Sequence, residues 1–243
     1  MRSGKRLSLG VAGAIVATGL TGCVTTQEKN TWLLLRNART LASEGSVRVR
    51  VDDPSVRVGR VDFVGGRGGS ALVVPITNRG SRPLSDLPIS VGVTGAHGTR
   101  SYLNGRANSS YWDSHVSAIG PGETISWVLP YSGKALAGRP FALVGTPTQP
   151  LSTTVARLPE ITTAELRSES TSRLEIRLSN GSGLPQYGLQ VYAVALRHGT
   201  AVGAGRTALT ELAASSKATV GLRLAGDPAG ARLRLYAPPT IFK

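Results

Sequence analysis

Only three side chains here, His97, His115 and His198, ordinarily change charge close to neutral pH, so proton-transfer chemistry would have to begin with them. In Ser109-Ser110-Tyr111-Trp112-Asp113-Ser114-His115, a carboxylate and a histidine stand two residues apart among serines. Asp113 and His115, with Ser114 or Ser110, are the residue types of a hydrolase in which an acid orients the base and the base activates a hydroxyl. Two-residue spacing on one loop does not make that arrangement, because a triad is defined by geometry. No Gly-x-Ser-x-Gly elbow occurs. No His-x-x-x-His or His-Glu-x-x-His supplies zinc-ligand spacing, and the 14 acids are scattered rather than paired across a cleft. Gly65-Gly66-Arg67-Gly68-Gly69 lacks the Lys-Ser/Thr of a phosphate-binding loop and reads as a hairpin turn. His97 and His198 sit beside glycine in matching segments and read as exposed turn residues. The expectation is a protein without catalytic residues, metal or cofactor, with hydrolysis by Asp113 and His115 the remotest alternative.

The same segment suits binding better. Tyr102, Tyr111, Trp112, Trp127 and Tyr131 gather around it in a chain with 12 aromatic residues. Aromatic side chains among polar neighbours give a partner or a sugar ring rigid contact area. Tyr102, Asn104, Tyr111, Trp112, Asp113 and His115 are therefore the candidate partner-binding residues. The competing reading has Tyr111 and Trp112 folding back to plug the end of their own domain.

The first 22 residues point to a location. Met1–Arg6 carry three cations and no acid, and Leu7–Leu20 is an uncharged apolar run, the order of a secretory signal peptide. About 14 residues are too few to cross a hydrocarbon core that needs roughly 20. Leu20-Thr21-Gly22-Cys23 resembles the bacterial lipobox, which implies thioether lipidation of Cys23 and its exposure as the first residue of the mature chain. Cys23 is the only cysteine, so no thiol remains for a disulfide or a nucleophile. Two or three acyl chains hold a protein at a bilayer, whereas one is marginal. The full chain carries a net charge of +14 and the chain beyond residue 22 remains basic, which favours encounter with anionic headgroups or acidic polymers. Export disfavours nucleic acid as a partner.

Residues 23–46 read as a lipidated tether. Leu34, Ala38 and Leu41 fall on one helical face, while Trp32–Leu35 suits the start of a strand equally well, and both readings stay open. From Val47 the pattern alternates as in a half-buried strand. Leu72-Val73-Val74-Pro75-Ile76-Thr77-Asn78 matches Leu174-Glu175-Ile176-Arg177-Leu178-Ser179-Asn180, and Ala96-His97-Gly98-Thr99 matches Arg197-His198-Gly199-Thr200. Further on, Gly105-Arg106-Ala107 matches Gly205-Arg206-Thr207, and Thr124–Leu129 matches Lys217–Leu222. A two-copy repeat about one hundred residues apart means two domains of one fold. Short strands with turn chemistry every 8 to 12 residues favour β-sandwiches. The domains are placed at 47–148 and 149–243, with Pro75 pushing its strand toward a sheet edge or a bulge. The first copy is about seven residues longer than the second between Arg106 and Ile119.

The Ile/Leu-x-Asn strand end, the proline-marked turn, the Leu-x-Val-x-Val-type strand, the Gly-rich turn and Pro121-Gly122-Glu123 together resemble the FxLYD-type immunoglobulin-like domains of bacterial envelope lipoproteins. The resemblance covers about Val56–Val144 and Ile161–Tyr236, and the second copy departs from it at Ala213-Ala214-Ser215-Ser216. It implies an accessory role and transfers no catalytic residue. The expected protein is all-β, two tandem immunoglobulin-like β-sandwiches tethered by lipid on the extracytoplasmic face of the cell membrane. It would act as a non-enzymatic binding or assembly module for another envelope protein. The alternative is a binder of an acidic or carbohydrate envelope polymer through the basic surface and the aromatic loop.

Overall fold

The structure, a computed structural model, describes residues 48–66, 68–105, 109–133, 135–147, 157–170 and 172–240. The leader, Cys23, the tether and the expected 148/149 boundary lie outside the described residues. Alternating segments become strands: β1 (Val56–Val58), β2 (Asp62–Gly66), β3 (Gly69–Asn78), β4 (Leu84–Thr94), β5 (Arg100–Tyr102), β6 (His115–Ile119), β7 (Thr124–Tyr131) and β8 (Arg139–Val144). Then come β9 (Ile161–Ser170), β10 (Arg173–Asn180), β11 (Gln186–Arg197), β12 (Thr200–Leu212), β13 (Lys217–Arg223), β14 (Ala225–Gly226) and β15 (Arg232–Tyr236). The described residues are all-β, two immunoglobulin-like sandwiches in tandem with antiparallel sheets. In the first, β3 lies between β1/β2 and β7, and β4 lies between β5/β6 and β8. The second pairs β13–β10–β9 and β14–β12–β11–β15.

The sequence repeat is realised strand for strand, β3 as β10, β4 as β11 and β7 as β13. Its sharpest mark is a buried asparagine that ends the first strand of each pair. Asn78 Nδ2 donates to Arg82 O (2.7 Å) and Ile119 O (3.1 Å), and Gly80 N donates to Asn78 Oδ1 (2.9 Å). Asn180 Nδ2 donates to Leu184 O (2.7 Å) and Ala213 O (3.1 Å), and Ser182 N donates to Asn180 Oδ1 (3.0 Å). Each amide thereby shapes its own turn and clamps it to the opposite sheet, with its own nitrogen and oxygen both satisfied. The turn histidines also correspond. His97 and His198 are exposed, with φ of 60° and 51°, each before a glycine at 77°, and positive φ at both central residues marks the tight hairpin.

Pro75 is accommodated by a bulge, because β3 is an interior strand. Opposite Val74-Pro75, between the pairs Val58↔Ile76 and Asp62↔Val73, the partner chain passes three residues, Gly59-Arg60-Val61. Pro75 O still accepts from Gly59 N (2.8 Å), so the missing N–H falls where the ladder is already interrupted.

The two sandwiches meet sheet to sheet. Leu72, Val74 and Ile76 of β3 lie level with Leu129, Trp127 and Ile125 of β7 and face the core shared with β4. The alternate residues Ala71, Val73 and Val128 are equally buried, in one apolar cluster with Tyr192, Val194, Ala201, Ala204 and Ala225 of the second sandwich. On β11, Leu189, Val191 and Ala193 fill the separate core of the second sandwich. Successive strand residues thus feed different cores, so the continuous run Val191-Tyr192-Ala193-Val194-Ala195 follows from burial on both faces. Small residues permit the approach: a Cβ at Gly226, whose φ is +90°, would overlap a Val64 methyl and the Val202 carbonyl. Hydrogen bonds tie the edges, from Ala201 N to Asp62 Oδ2 (3.1 Å) and from Ser117 Oγ to Pro238 O (3.3 Å).

A charge placed in this sealed layer has no partner. Val194→Asp is expected to destabilise the protein by more than about 3 kcal/mol, whereas Leu166→Asp, at a position 36% exposed, should change stability by less than about 1 kcal/mol. Urea unfolding measures both, and equal effects would mean that the two sheets do not face one another.

Candidate functional site

The segment that distinguishes the first sandwich from the second lies between β5 and β6. From Arg100 to Ile119 the first sandwich spends 20 residues where β12 spends 13, from Thr200 to Leu212. In the second sandwich β12 pairs with β11 from Thr200 to Leu212, with one register shift at Ala195-Leu196. In the first, β5 pairs β4 only at Gly92–Thr94 and β6 only at Leu84–Pro88, which leaves Ile89–Val91, paired with β8 on one side, without a strand on the other. Asn104 fills the gap. Its Oδ1 accepts from Val91 N (2.9 Å) and its Nδ2 donates to Ile89 O (2.7 Å) and Asp113 O (2.9 Å). The side-chain amide does the work that the backbone near Gly205 does opposite Ala193. Leu103 N donates to Val91 O and Ile89 N donates to Ser114 O, each at 2.8 Å, which completes the seam. Gly205 therefore belongs to a regular strand, whereas Gly105, at φ 73°, belongs to the insertion. The sequence match between them is not a structural one, and Arg106 and Ala107 lie outside the described residues.

Beyond Asn104 the loop makes a single 3₁₀ turn, Tyr111–Asp113, fixed at its start by a capping box. Ser110 Oγ accepts from Trp112 N (3.3 Å) and Asp113 Oδ2 accepts from Ser110 N (2.8 Å), so the turn holds itself together locally. Tyr111 stacks flat on His115, with ring centres 3.9 Å apart and planes 6° from parallel, and its hydroxyl donates to Asp86. Trp112 meets Tyr111 edge to face at 5.1 Å. Its indole nitrogen lies 3.5 Å from where a Cβ on Gly188 of β11 would stand, so the insertion reaches the second sandwich.

Arg206 makes the connection. It lies on β12 opposite Tyr192, forms an ion pair with Asp113, and donates from Nη1 to Trp112 O (3.1 Å). Both partners are largely shielded, with side chains 12% and 19% exposed. Nothing in the loop sequence names Arg206. Beyond the Gly205-Arg206-Thr207 match, its sequence signal is a cation directly after the small apolar run Ala201-Val202-Gly203-Ala204-Gly205, where a charge needs a partner.

The candidate residues thus separate. Tyr111, Trp112 and Asp113 stand together, half-buried on the insertion, over His115 at the root of β6. Asn104 is 9% exposed and built into the β4 seam. Tyr102 lies apart on β5, its ring 5.7 Å from Phe141. Cys23 lies outside the described residues. Asp113 and His115 are not hydrogen-bonded to each other: Asp113 is held by Arg206 and Ser110 N, and His115 Nδ1 lies against Ser114 Oγ (3.1 Å) and Tyr111 O (3.3 Å). His115 is 1% exposed and its Nε2 has no hydrogen-bond partner. Burial holds its pKa below the ordinary value, while the neighbouring Asp86 carboxylate opposes that effect. Burial likewise raises the pKa of Tyr192, whose hydroxyl lacks a partner beneath the ion pair. Among the described residues no three His, Cys, Asp or Glu side chains converge on a metal-sized site.

No family model matches the chain and no curated protein matches it. Among solved structures the chain is similar to red sea bream transglutaminase, at 15% identity over 75% of this chain and 29% of that one, with a TM-score of 0.22. The chain spans less than a third of that enzyme's length, and a superposition this loose carries no functional argument.

Two outcomes test the site. In a double-mutant cycle, Arg206→Ala and Asp113→Ala should each cost about 1–3 kcal/mol, and the double variant less than their sum, because either single change strands a shielded charge. Strict additivity would mean that the pair is not formed. For His115 the folded-state pKa is depressed, so between that value and the ordinary one near 6.5 the unfolded chain binds more protons. Stability is therefore complete above about pH 6.5 and falls as pH drops below it, by at most about 1.4 kcal/mol per unit. Denaturant unfolding at pH 7.5 and 5.5 should show this fall, reduced in His115→Phe.

Proposed function

We propose that this protein is a lipid-anchored, extracytoplasmic accessory module that binds another envelope protein through the Tyr111–Trp112 turn and does not act as an enzyme. The observation that carries the reading is the insertion itself. It is present in one sandwich only, presents two half-buried aromatic rings, and is held rigid by its capping box and by Arg206 before any partner arrives. Pre-ordering lowers the entropic cost of binding, and rigid aromatic side chains are the usual anchors of interfaces. The residues with catalytic potential support a structural role instead, since Asp113 is committed to Arg206 and His115 is sealed beneath Tyr111. Lipidation at Cys23, read from the leader and lipobox, would hold the module at the membrane.

Photocrosslinking from position 112 in intact membranes tests the proposal. A discrete protein adduct is expected, falling at least tenfold in Arg206→Ala, which unclamps the turn without removing either ring. An absent adduct would overturn it, and an adduct spread over polymer would transfer the role to an acidic or carbohydrate envelope polymer.

A further inference from the structure

The outer face of the β5–β4–β8 sheet carries a second constellation that the aromatic insertion does not use. Gly92 of β4 lies level with Tyr102 on one side and Phe141 on the other. With no side chain of its own, Gly92 leaves a notch over which the two rings meet edge to face at 5.7 Å, and a Cβ there would stand 2.7 Å from the Phe141 ring. Two guanidinium groups lie over these rings, Arg48 5.3 Å from the centre of Tyr102 and Arg100 5.0 Å from that of Phe141. Two residues along, Thr94 pairs with Arg100 on one side and Arg139 on the other, which puts a third arginine on the same face. Arg48, Arg100 and Arg139 are all exposed, and among the described residues none has an ion-pair partner. Among the described residues, the acids that follow Arg48 in the chain are engaged with backbone amides, Asp52 with Val144 N (2.8 Å) and Asp53 with Ser55 N (2.7 Å). The outer sheet of the second sandwich differs, because Glu175 stands among its arginines at positions 173, 177 and 223.

We infer that this face docks on an anionic lipid surface, with the three arginines contacting headgroup phosphates and the Tyr102–Phe141 pair at headgroup level. The inference rests on lipid anchoring at Cys23. Charge complementarity selects a negative surface, since each arginine near anionic lipid adds attraction that salt screens, and aromatic rings favour the membrane interface. Chain connectivity selects the bilayer over a soluble polyanion. Arg48 is 25 residues from Cys23, a stretch that cannot exceed about 90 Å even fully extended, so the face meets lipid at a high effective concentration. The rings beneath Arg48 and Arg100 engage these guanidinium groups without an acid to neutralise them.

The experiment uses the lipidated protein reconstituted in vesicles of phosphatidylcholine, with or without 30 mole per cent phosphatidylglycerol as an assay choice of about that value. Cys23 is the only cysteine and is alkylated in the anchored form, so Val51→Cys, at a position 78% exposed and three residues from Arg48, accepts a single fluorophore. Thr219→Cys on β13 provides the control. Docking predicts that the label at 51 is shielded from an aqueous quencher only on the anionic vesicles and that the label at 219 is not. Replacing Arg48, Arg100 and Arg139 by Glu should lower the docked-to-undocked ratio by about 100-fold or more. Protein that floats with the vesicles yet shows equal quenching on both compositions would overturn the inference while leaving the anchor intact. Protein that does not float would overturn the anchor and, with it, the docking. Equal shielding on neutral lipid, or by dextran sulfate on neutral vesicles, would also overturn it.

Discussion

A β-sheet covered on both faces has no side on which to place a polar residue, and this constraint governs the molecule. β3 and β7 carry the core of the first sandwich on one face and its junction with the second on the other, and β11 and β12 do the same from the opposite side. The result is a stack of four sheets. Its middle layer uses alanine, glycine and valine where backbones approach closely, and it admits polar groups only where they are paired or, as with the Tyr192 hydroxyl, sealed in. Separating the two sandwiches would expose residues as buried as any in either core.

The insertion between β5 and β6 is shaped by the same requirement. Interrupting the partner of β4 leaves buried backbone groups to satisfy, and Asn104 satisfies them with a side chain that mimics a peptide. Once the chain is free of the ladder it can place a short turn across the junction. Arg206 then fixes that turn to the second sandwich through Asp113 and the Trp112 carbonyl. Asp113 thus acts as a structural acid, which accounts for a carboxylate two residues from a histidine without catalytic coupling between them.

Charge is distributed by the same logic. Arg206 is paired because it faces the junction, whereas Arg48, Arg100 and Arg139 lie on an outer face, the first two over aromatic rings. The rings meet over Gly92 because a side chain there would collide with Phe141. An unpaired arginine costs little at such a site, since water solvates it until an anion replaces the water.

Much of the architecture was written locally. Alternation at period two, the asparagines that close β3 and β10, the matched His-Gly turns and the proline opposite a bulge are each decided within a few residues of chain, so they read directly as a repeated all-β sandwich. The additional length of the first copy was equally visible. The sequence alone did not determine that the sandwiches stack face to face, that Arg206 reaches Asp113, that Asn104 stands in for a missing strand, or that Tyr102 pairs with Phe141 rather than with Trp112. Those contacts join residues from about 10 to more than 100 positions apart, and they depend on which face of each strand turns toward which neighbour. Period-two patterning says that a residue is buried, and only the packed fold says against what.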